Sequence, residues 1–295
     1  MSPEPLTIAE ALRLSAEYLH EHGVGSARLD AELLLSRVLG LSRLDLYLAF
    51  DRPLSDDERG RMRALLARRG RREPLAHITG EREFFSRVFE VSPDVLIPRP
   101  ETERLVERLL ERERGGDLPP GPILDVGTGS GAIAVTLACE MPKRSLVATD
   151  ISAAALAVVR RNAERHGVAD RVALHEADLA KGMAGPFAAI VSNPPYVAES
   201  ERAILTPEVL REPERALFGG ANGLAVIRRL VEEAPPLLSP AGVLLIEVGA
   251  GQAGEVMRMI RDRGECEAVA ALTDLAGIER VVEATRRVAR VSSKS

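Results

Sequence analysis

From Ile123 onward the chain repeats one pattern: a short apolar run, a turn, then a helical stretch. The runs are ILDV, SLVATD, RVALHEAD, AAIVSNPP and GVLLIEV, with helical spacing over 132–140, 153–166 and 224–238. Runs this apolar cannot leave one face in water, and crossovers of this length join parallel neighbours. The pattern therefore specifies a mostly parallel sheet with helices on both faces, an α/β fold. Ligands in such sheets gather at the carboxyl ends of the strands, so chemistry is expected just after each run. The only low-complexity segment is the terminal VSSKS, read as frayed.

The first run leads into Asp125-Val126-Gly127-Thr128-Gly129-Ser130-Gly131. Glycines after a strand let the backbone turn sharply and approach a ligand without Cβ interference. The spacing is neither the G-x-G-x-x-G of dinucleotide folds nor the P-loop pattern, and no Lys follows to meet a triphosphate. A carboxylate ahead of the first glycine would repel phosphate but suits a ligand carrying an amino group. Asp150 ends the next run, where an acid can hold both hydroxyls of a ribose. Asp178 ends the third, placed to accept from an adenine amino group, with Leu179 beside it to pack on the ring. Any one of these acids alone reads equally as a helix cap; three beside one glycine-rich turn read as a nucleoside site.

The fourth run stops at Asn193-Pro194-Pro195-Tyr196. Two prolines cannot donate to the ladder and fix φ, so the strand must end there, leaving carbonyls held in a set direction. Asn193 adds one side-chain acceptor and two donors. Tyr196 offers a flat face. The set suits a planar NH2 group whose two hydrogens go to Asn193 and a proline carbonyl. An amide nitrogen is a poor nucleophile, and acceptors on both N–H bonds favour its pyramidalisation and stabilise the positive charge that develops as it attacks an electrophile. Orientation and electrostatics would carry the catalysis, with no strong general base. In isolation the same four residues read as a turn with a polar tip.

The first 73 residues read instead as a bundle of short helices. Thr7 with Glu10, Ser42 with Asp45 and Ser55 with Glu58 form capping boxes, and Gly23, Gly40 and Gly70 sit where helices close. Residues 74–97 read as a connector or hairpin, holding three of the chain's six phenylalanines in alternation with polar residues. Residues 98–295 then form the α/β domain. Between Arg59 and Arg72 stand seven arginines (59, 61, 63, 68, 69, 71, 72) and no acid. That run is either a solvated helix face or a docking face for an acidic partner.

Together the three acids and the glycine turn resemble the class I, Rossmann-like fold of S-adenosylmethionine-dependent methyltransferases. The pieces PLAHITGEREFF, VSPDVLIPRPETE, ILDVGTGSGAIAV, DISAAALAVVRRNA, IVSNPPYV, EPERALFGGANGL and DLAGIERVVEA narrow this further. In that order, over roughly residues 74–283, they resemble the PrmC (HemK) family, protein-(glutamine-N5) methyltransferases of peptide chain release factors. The resemblance implies a cytoplasmic enzyme that methylates the glutamine of a Gly-Gly-Gln motif and supports translation termination. It implies S-adenosyl-L-methionine held by Gly127, Thr128, Gly129, Ser130, Gly131, Asp150, Asp178, Leu179 and Asn193, with S-adenosyl-L-homocysteine as product. At Leu179, where family members can carry an aromatic, apolar contact replaces stacking. It implies catalysis by Asn193, Pro194 and Tyr196, and glutamine binding by these with Pro195. Arg99 and Glu101, in Pro98-Arg99-Pro100-Glu101, either close over the pocket or pair with each other to stiffen the turn.

Composition excludes several other classes. Lys+Arg 39 against Asp+Glu 44 gives a net charge of −5, aromatics are 3% and Trp is absent, so an extruded base would find neither a basic groove nor stacking platforms. Amino-group methylation of nucleic acid is thereby disfavoured; glutamine methylation of a ribosomal protein is the closer alternative. Two cysteines, Cys139 and Cys266, read as reduced thiols, no metal is expected, and no run approaches a membrane span. A sensor that binds S-adenosylmethionine without catalysis would not need Asn193-Pro194-Pro195-Tyr196.

Overall fold

The structure, a computed structural model, describes residues 6–288, so the VSSKS tail lies outside the described residues. The chain divides into two compact units, one of residues 1–80 with 206–211, the other of residues 81–205 with 212–295.

The first unit is helical: α1 (Ile8–Glu21), α2 (Ala27–Leu39), α3 (Arg43–Leu48), α4 (Asp56–Gly70) and α5 (Leu75–Thr79). All three expected capping boxes form, at Thr7, Ser42 and Ser55. Leu12, Leu19, Leu34, Leu35 and Leu46 are fully buried between the helices. Leu75–Thr79 is a helical turn that stays with this unit, although its residues read as the start of the connector. Most of the arginine run is engaged within the unit, while Arg61, Arg63 and Arg71 stay exposed. Arg59, Arg61 and Arg68 pair with Asp56, Asp57 and Glu73. Arg69 is buried and donates to Asp30 at 2.7 Å and Glu208 at 2.9 Å, while Arg72 grips both Glu208 oxygens. Burial alone would raise the Glu208 carboxyl, but Arg72 and Arg69 hold it at about 2. Segment 206–211 is thus clasped by the α4 end. Among the described residues only Arg63 and Arg71 of the run lack a side-chain ion pair.

The second unit opens with the hairpin β1 (Glu81–Phe84) and β2 (Arg87–Glu90). Its turn residues, Phe85 and Ser86, both take positive φ, a conformation usually given to Asn-Gly; here Glu103 accepts from the Phe85 N–H at 2.8 Å. Phe84 and Phe89 enter the main core. There follow α6 (Glu103–Gly115), β3 (Ile123–Val126), α7 (Ala132–Glu140), β4 (Leu146–Asp150), α8 (Ala153–Arg165), β5 (Val172–Glu176), β6 (Phe187–Ser192), α9 (Glu214–Leu217), α10 (Ala225–Glu233), β7 (Leu238–Glu247), α11 (Ala253–Arg263), β8 (Cys266–Thr273) and β9 (Glu279–Arg286).

The strands form one sheet in the order β5-β4-β3-β6-β7-β9-β8, parallel from β5 to β7, with β9 antiparallel to both neighbours. Alternate residues serve opposite cores: Ile123, Ala189 and Val243 face α6, α7 and α8, whereas Leu124, Ile190 and Leu244 face α10 and α11. The helix expected over 224–238 stops at Glu233, since Pro235 and Pro236 force a tight 3-10 turn before β7. After β3 the chain winds out through β4 and β5, then returns to the other side of β3 with β6. That reversal lies between β3 and β6, where the glycine turn and Asn193 both emerge. Among the described residues no helix is long and apolar enough to cross a membrane.

Candidate active site

A cavity of about 250 Å³ lies at this reversal, walled by Gly127–Ser130, Asp150–Ser152, Ala177–Leu179, Asn193, Pro195 and part of the 94–98 stretch. Gly127, Gly129 and Gly131 all adopt left-handed φ, so the turn requires the residues the sequence supplies. A Cβ at Gly131 would stand 2.7 Å from Val159.

Asp125 does not face this cavity. Its parity is that of Ile123, so its side chain enters the α7 side of the core and is fully buried. There Oδ2 accepts from the Thr128 hydroxyl at 2.7 Å and from the Ala134 N–H at 3.1 Å. It braces the glycine turn against α7, which corrects its expected contact with the ligand's amino group. Burial pushes the carboxyl up to about 7, helped by the nearby Asp150 charge.

Asp150 stands in the wall as expected. Its Oδ2 accepts from the Gly129 N–H and its Oδ1 from the Ser152 N–H, each at 2.9 Å. Each oxygen keeps a lone pair, enough for a vicinal diol. Beside it Ile151 is 55% exposed and lines the cavity, an apolar wall that sequence reasoning passed over although the strand-end D-I-S was in view. Asp178 lies two residues beyond β5, paired at 2.8 Å with Arg229 of α10, and Leu179 adopts φ 54°. Arg229 also lines the cavity, and no local signal marked it.

At the β6 end the Asn193 amide is fixed by one atom. Its Nδ2 donates to Thr102 Oγ1 at 3.0 Å, while its Oδ1 is buried and has no partner among the described residues. Pro195 lines the cavity; Pro194 and Tyr196 do not. The Tyr196 hydroxyl donates to Glu247 at the end of β7, at 3.3 Å. Burial, and then the Glu247 charge, push that phenol above its ordinary range. Burial likewise raises Glu247, to about 7, against the pull of the Thr102 and Tyr196 hydroxyls.

Arg99 and Glu101 do not pair with each other. Arg99 donates at 2.5 Å to buried Glu212, whose other oxygen takes the Ile97 N–H at 2.9 Å, which pins the 95–99 lip beside the cavity. Glu101 is exposed and does not line the cavity. The motif after Glu212 supports the acceptor corner. A Cβ at Gly223 would stand 2.1 Å from the Tyr196 carbonyl oxygen, and one at Gly219 would stand 2.5 Å from that of Pro195. Gln252 completes the support, donating to the Tyr196 carbonyl at 2.9 Å. Asn162, fully buried, ties the Ser130 carbonyl to the Glu90 backbone with three hydrogen bonds.

Comparison with known proteins decides the family. A profile described as PrmC N-terminal domain matches residues 10–80, and one described as methyltransferase small domain matches residues 101–222. A release factor glutamine methyltransferase of Geobacter sulfurreducens is 45% identical over 95% of this chain and 97% of its own length. The chain belongs to the release factor glutamine methyltransferase family. One of Vibrio cholerae is 40% identical over 94% of this chain and 96% of its own. Among solved structures, a methyltransferase from Pyrococcus furiosus aligns with TM-score 0.52 at 20% identity, covering 70% of this chain and 91% of that one. A T. Thermophilus 16S rRNA methyltransferase in complex with AdoMet and guanosine gives 0.50 at 19%, covering 70% of this chain and 50% of that one. These two show the class I methyltransferase fold.

In this release factor glutamine methyltransferase the raised Asp125 carboxyl has a consequence for stability. A group whose folded pKa exceeds its unfolded value stabilises fully below the unfolded value and loses that contribution as pH rises through the folded one. The denaturation free energy of the wild type, relative to Asp125→Asn, is therefore expected to fall as pH rises from about 4 through 7. Chemical denaturation of both proteins across that window checks this; a difference that stays flat would show that Asp125 titrates normally.

Proposed function

We propose that this enzyme transfers a methyl group from S-adenosyl-L-methionine to the side-chain amide nitrogen of the glutamine in the Gly-Gly-Gln motif of peptide chain release factors. The observation that carries the reading is Asn193: its Nδ2 is tied back to Thr102 and its Oδ1 is a buried acceptor with no partner, in the wall of the cavity. A buried, orphaned acceptor costs free energy unless something arrives to donate to it. An amide NH2 is such a donor. In this reading the second hydrogen goes to the Pro194 carbonyl, which accepts no backbone hydrogen bond among the described residues.

When bound, S-adenosyl-L-methionine supplies an electrophilic methyl group on a positively charged sulfur. The chain fits it through the glycine turn, the lone pairs of Asp150, the apolar Ile151 and Leu179, and Asp178 beside Arg229. Asn193 and Pro194 hold the acceptor nitrogen with both N–H bonds engaged, which turns its lone pair out of conjugation. They also stabilise the positive charge that grows on it. The 95–99 lip, pinned by Glu212, restricts water at the reacting centre. The helical unit supplies a second contact for the release factor, because one tripeptide buries little area. With most of the arginine run engaged internally, that contact draws on the outward-facing remainder of the unit.

Incubation with methyl-labelled S-adenosylmethionine and purified release factor, wild type and Gln-substituted in Gly-Gly-Gln, tests the proposal. Label confined to that glutamine by mass mapping is expected. Label in the Gln-substituted protein, or only in a ribosomal protein or RNA, overturns it.

A further inference from the structure

We propose that Glu247 is a positioning residue that sets which way the Asn193 amide faces, acting through the Thr102 hydroxyl. The inference rests on the acceptor role given to Asn193 above. An asparagine amide has nearly the same shape when its oxygen and nitrogen exchange places, so only its neighbours decide which atom faces the cavity. The neighbour here is Thr102 Oγ1, at 3.0 Å from Nδ2. A hydroxyl owns one proton. If Thr102 aimed it at Asn193, the amide oxygen would turn inward and the NH2 would face the cavity, donor against donor with the incoming amide.

Glu247 removes that option. It is fully buried at the end of β7, among groups that include the Thr102 and Tyr196 hydroxyls, with Glu101 and Arg280 acting on it at longer range. An ionised carboxylate can only accept. It draws the hydroxyl protons of Thr102 and Tyr196 to itself, which leaves Thr102 only lone pairs to offer Asn193. Polarity then runs from Asn193 to Thr102 to Glu247, and Oδ1 is left as the outward acceptor. A buried carboxylate is costly to keep, and among the described residues this one has no ion pair. Its second oxygen makes no hydrogen bond, so local stability does not account for it.

At pH 8, Thr102→Val is expected to lower kcat for release-factor methylation about 100-fold, with KM within about threefold. Thr102→Ser, which restores the hydroxyl, should recover most of it. Glu247→Met should give a loss of similar size, Glu247→Gln a smaller one, and the Thr102→Val/Glu247→Met double variant no more than Thr102→Val alone, because both act on one hydrogen bond. A double variant whose losses multiply, a Thr102→Ser enzyme as slow as Thr102→Val, or a Glu247→Met enzyme with wild-type kcat overturns the proposal. A second readout needs no methyl acceptor: in 15N-labelled enzyme with S-adenosyl-L-homocysteine, the Asn193 side-chain NH2 should exchange slowly in the wild type and fast in Glu247→Gln and Glu247→Met. Equal exchange in all three also overturns it. If the wild type leaves release factor unlabelled, the functional reading fails by itself, and the exchange measurement still decides this one.

Discussion

Asn193→Ala is expected to lower kcat for release-factor methylation by roughly a thousandfold while leaving affinity for S-adenosyl-L-homocysteine within several-fold of wild type. The split follows from where the side chain is anchored. Asp150, the glycine turn and Ile151 line the cavity independently of Asn193, so a nucleoside ligand keeps its main contacts. What Ala removes is the buried, orphaned acceptor of a residue in the cavity wall and the donor that holds Thr102. An acceptor that strengthens its bond only as the amide nitrogen gains positive charge stabilises the transition state more than the bound substrate, so kcat falls and KM changes little. Steady-state kinetics with intact release factor, together with calorimetry using S-adenosyl-L-homocysteine, separate the two. A large loss of affinity with kcat preserved would move Asn193 from chemistry to ligand binding.

The parts of the site that sequence alone located share one property: each lies within a few residues of a strand end. Gly127–Gly131, Asp150 and Asn193 are where the alternation of apolar runs and helices puts them, and the order of runs fixes the sheet that brings them together. Asp125 was misplaced because proximity to the turn says nothing about side. Strand parity does, and Asp125 shares a face with Ile123, beneath α7. Thr102, Glu247, Arg229, Glu212 and Gln252 went unseen for a different reason. Each reaches the site from a segment remote in the chain and makes its contribution through a tertiary contact. Arg99 shows the same limit, since a salt bridge to the adjacent Glu101 was the local option and Glu212, far along the chain, took it instead. The β8–β9 hairpin went unread, and insertion of β9 between β7 and β8 is a matter of pairing rather than of pattern. In the helical unit every capping box was legible, being local. The fate of the arginines was not, because Asp30 and Glu208 come from elsewhere.

Gly223→Ala is expected to lower turnover by roughly a hundredfold and to lower the melting temperature, without any contact to ligand being removed. Two effects add. Gly223 has φ 74°, a region that costs an L-residue about 1–2 kcal/mol. The new Cβ would also stand 2.1 Å from the Tyr196 carbonyl oxygen and 2.7 Å from Gln252 Nε2. The Gln252 side chain can swing away, but then the Tyr196 carbonyl loses the hydrogen bond that holds it. The backbone after the two prolines must yield, and because proline fixes φ the displacement passes to Pro194 and Asn193 rather than being absorbed between them. Gly254→Ala supplies the control. It lies in α11 with open space around the new methyl, so it should leave activity unchanged and raise stability by up to about 1 kcal/mol. If Gly223→Ala matched Gly254→Ala in turnover, the second glycine motif would have no part in holding the acceptor corner, and its spacing from Asn193 would need another explanation.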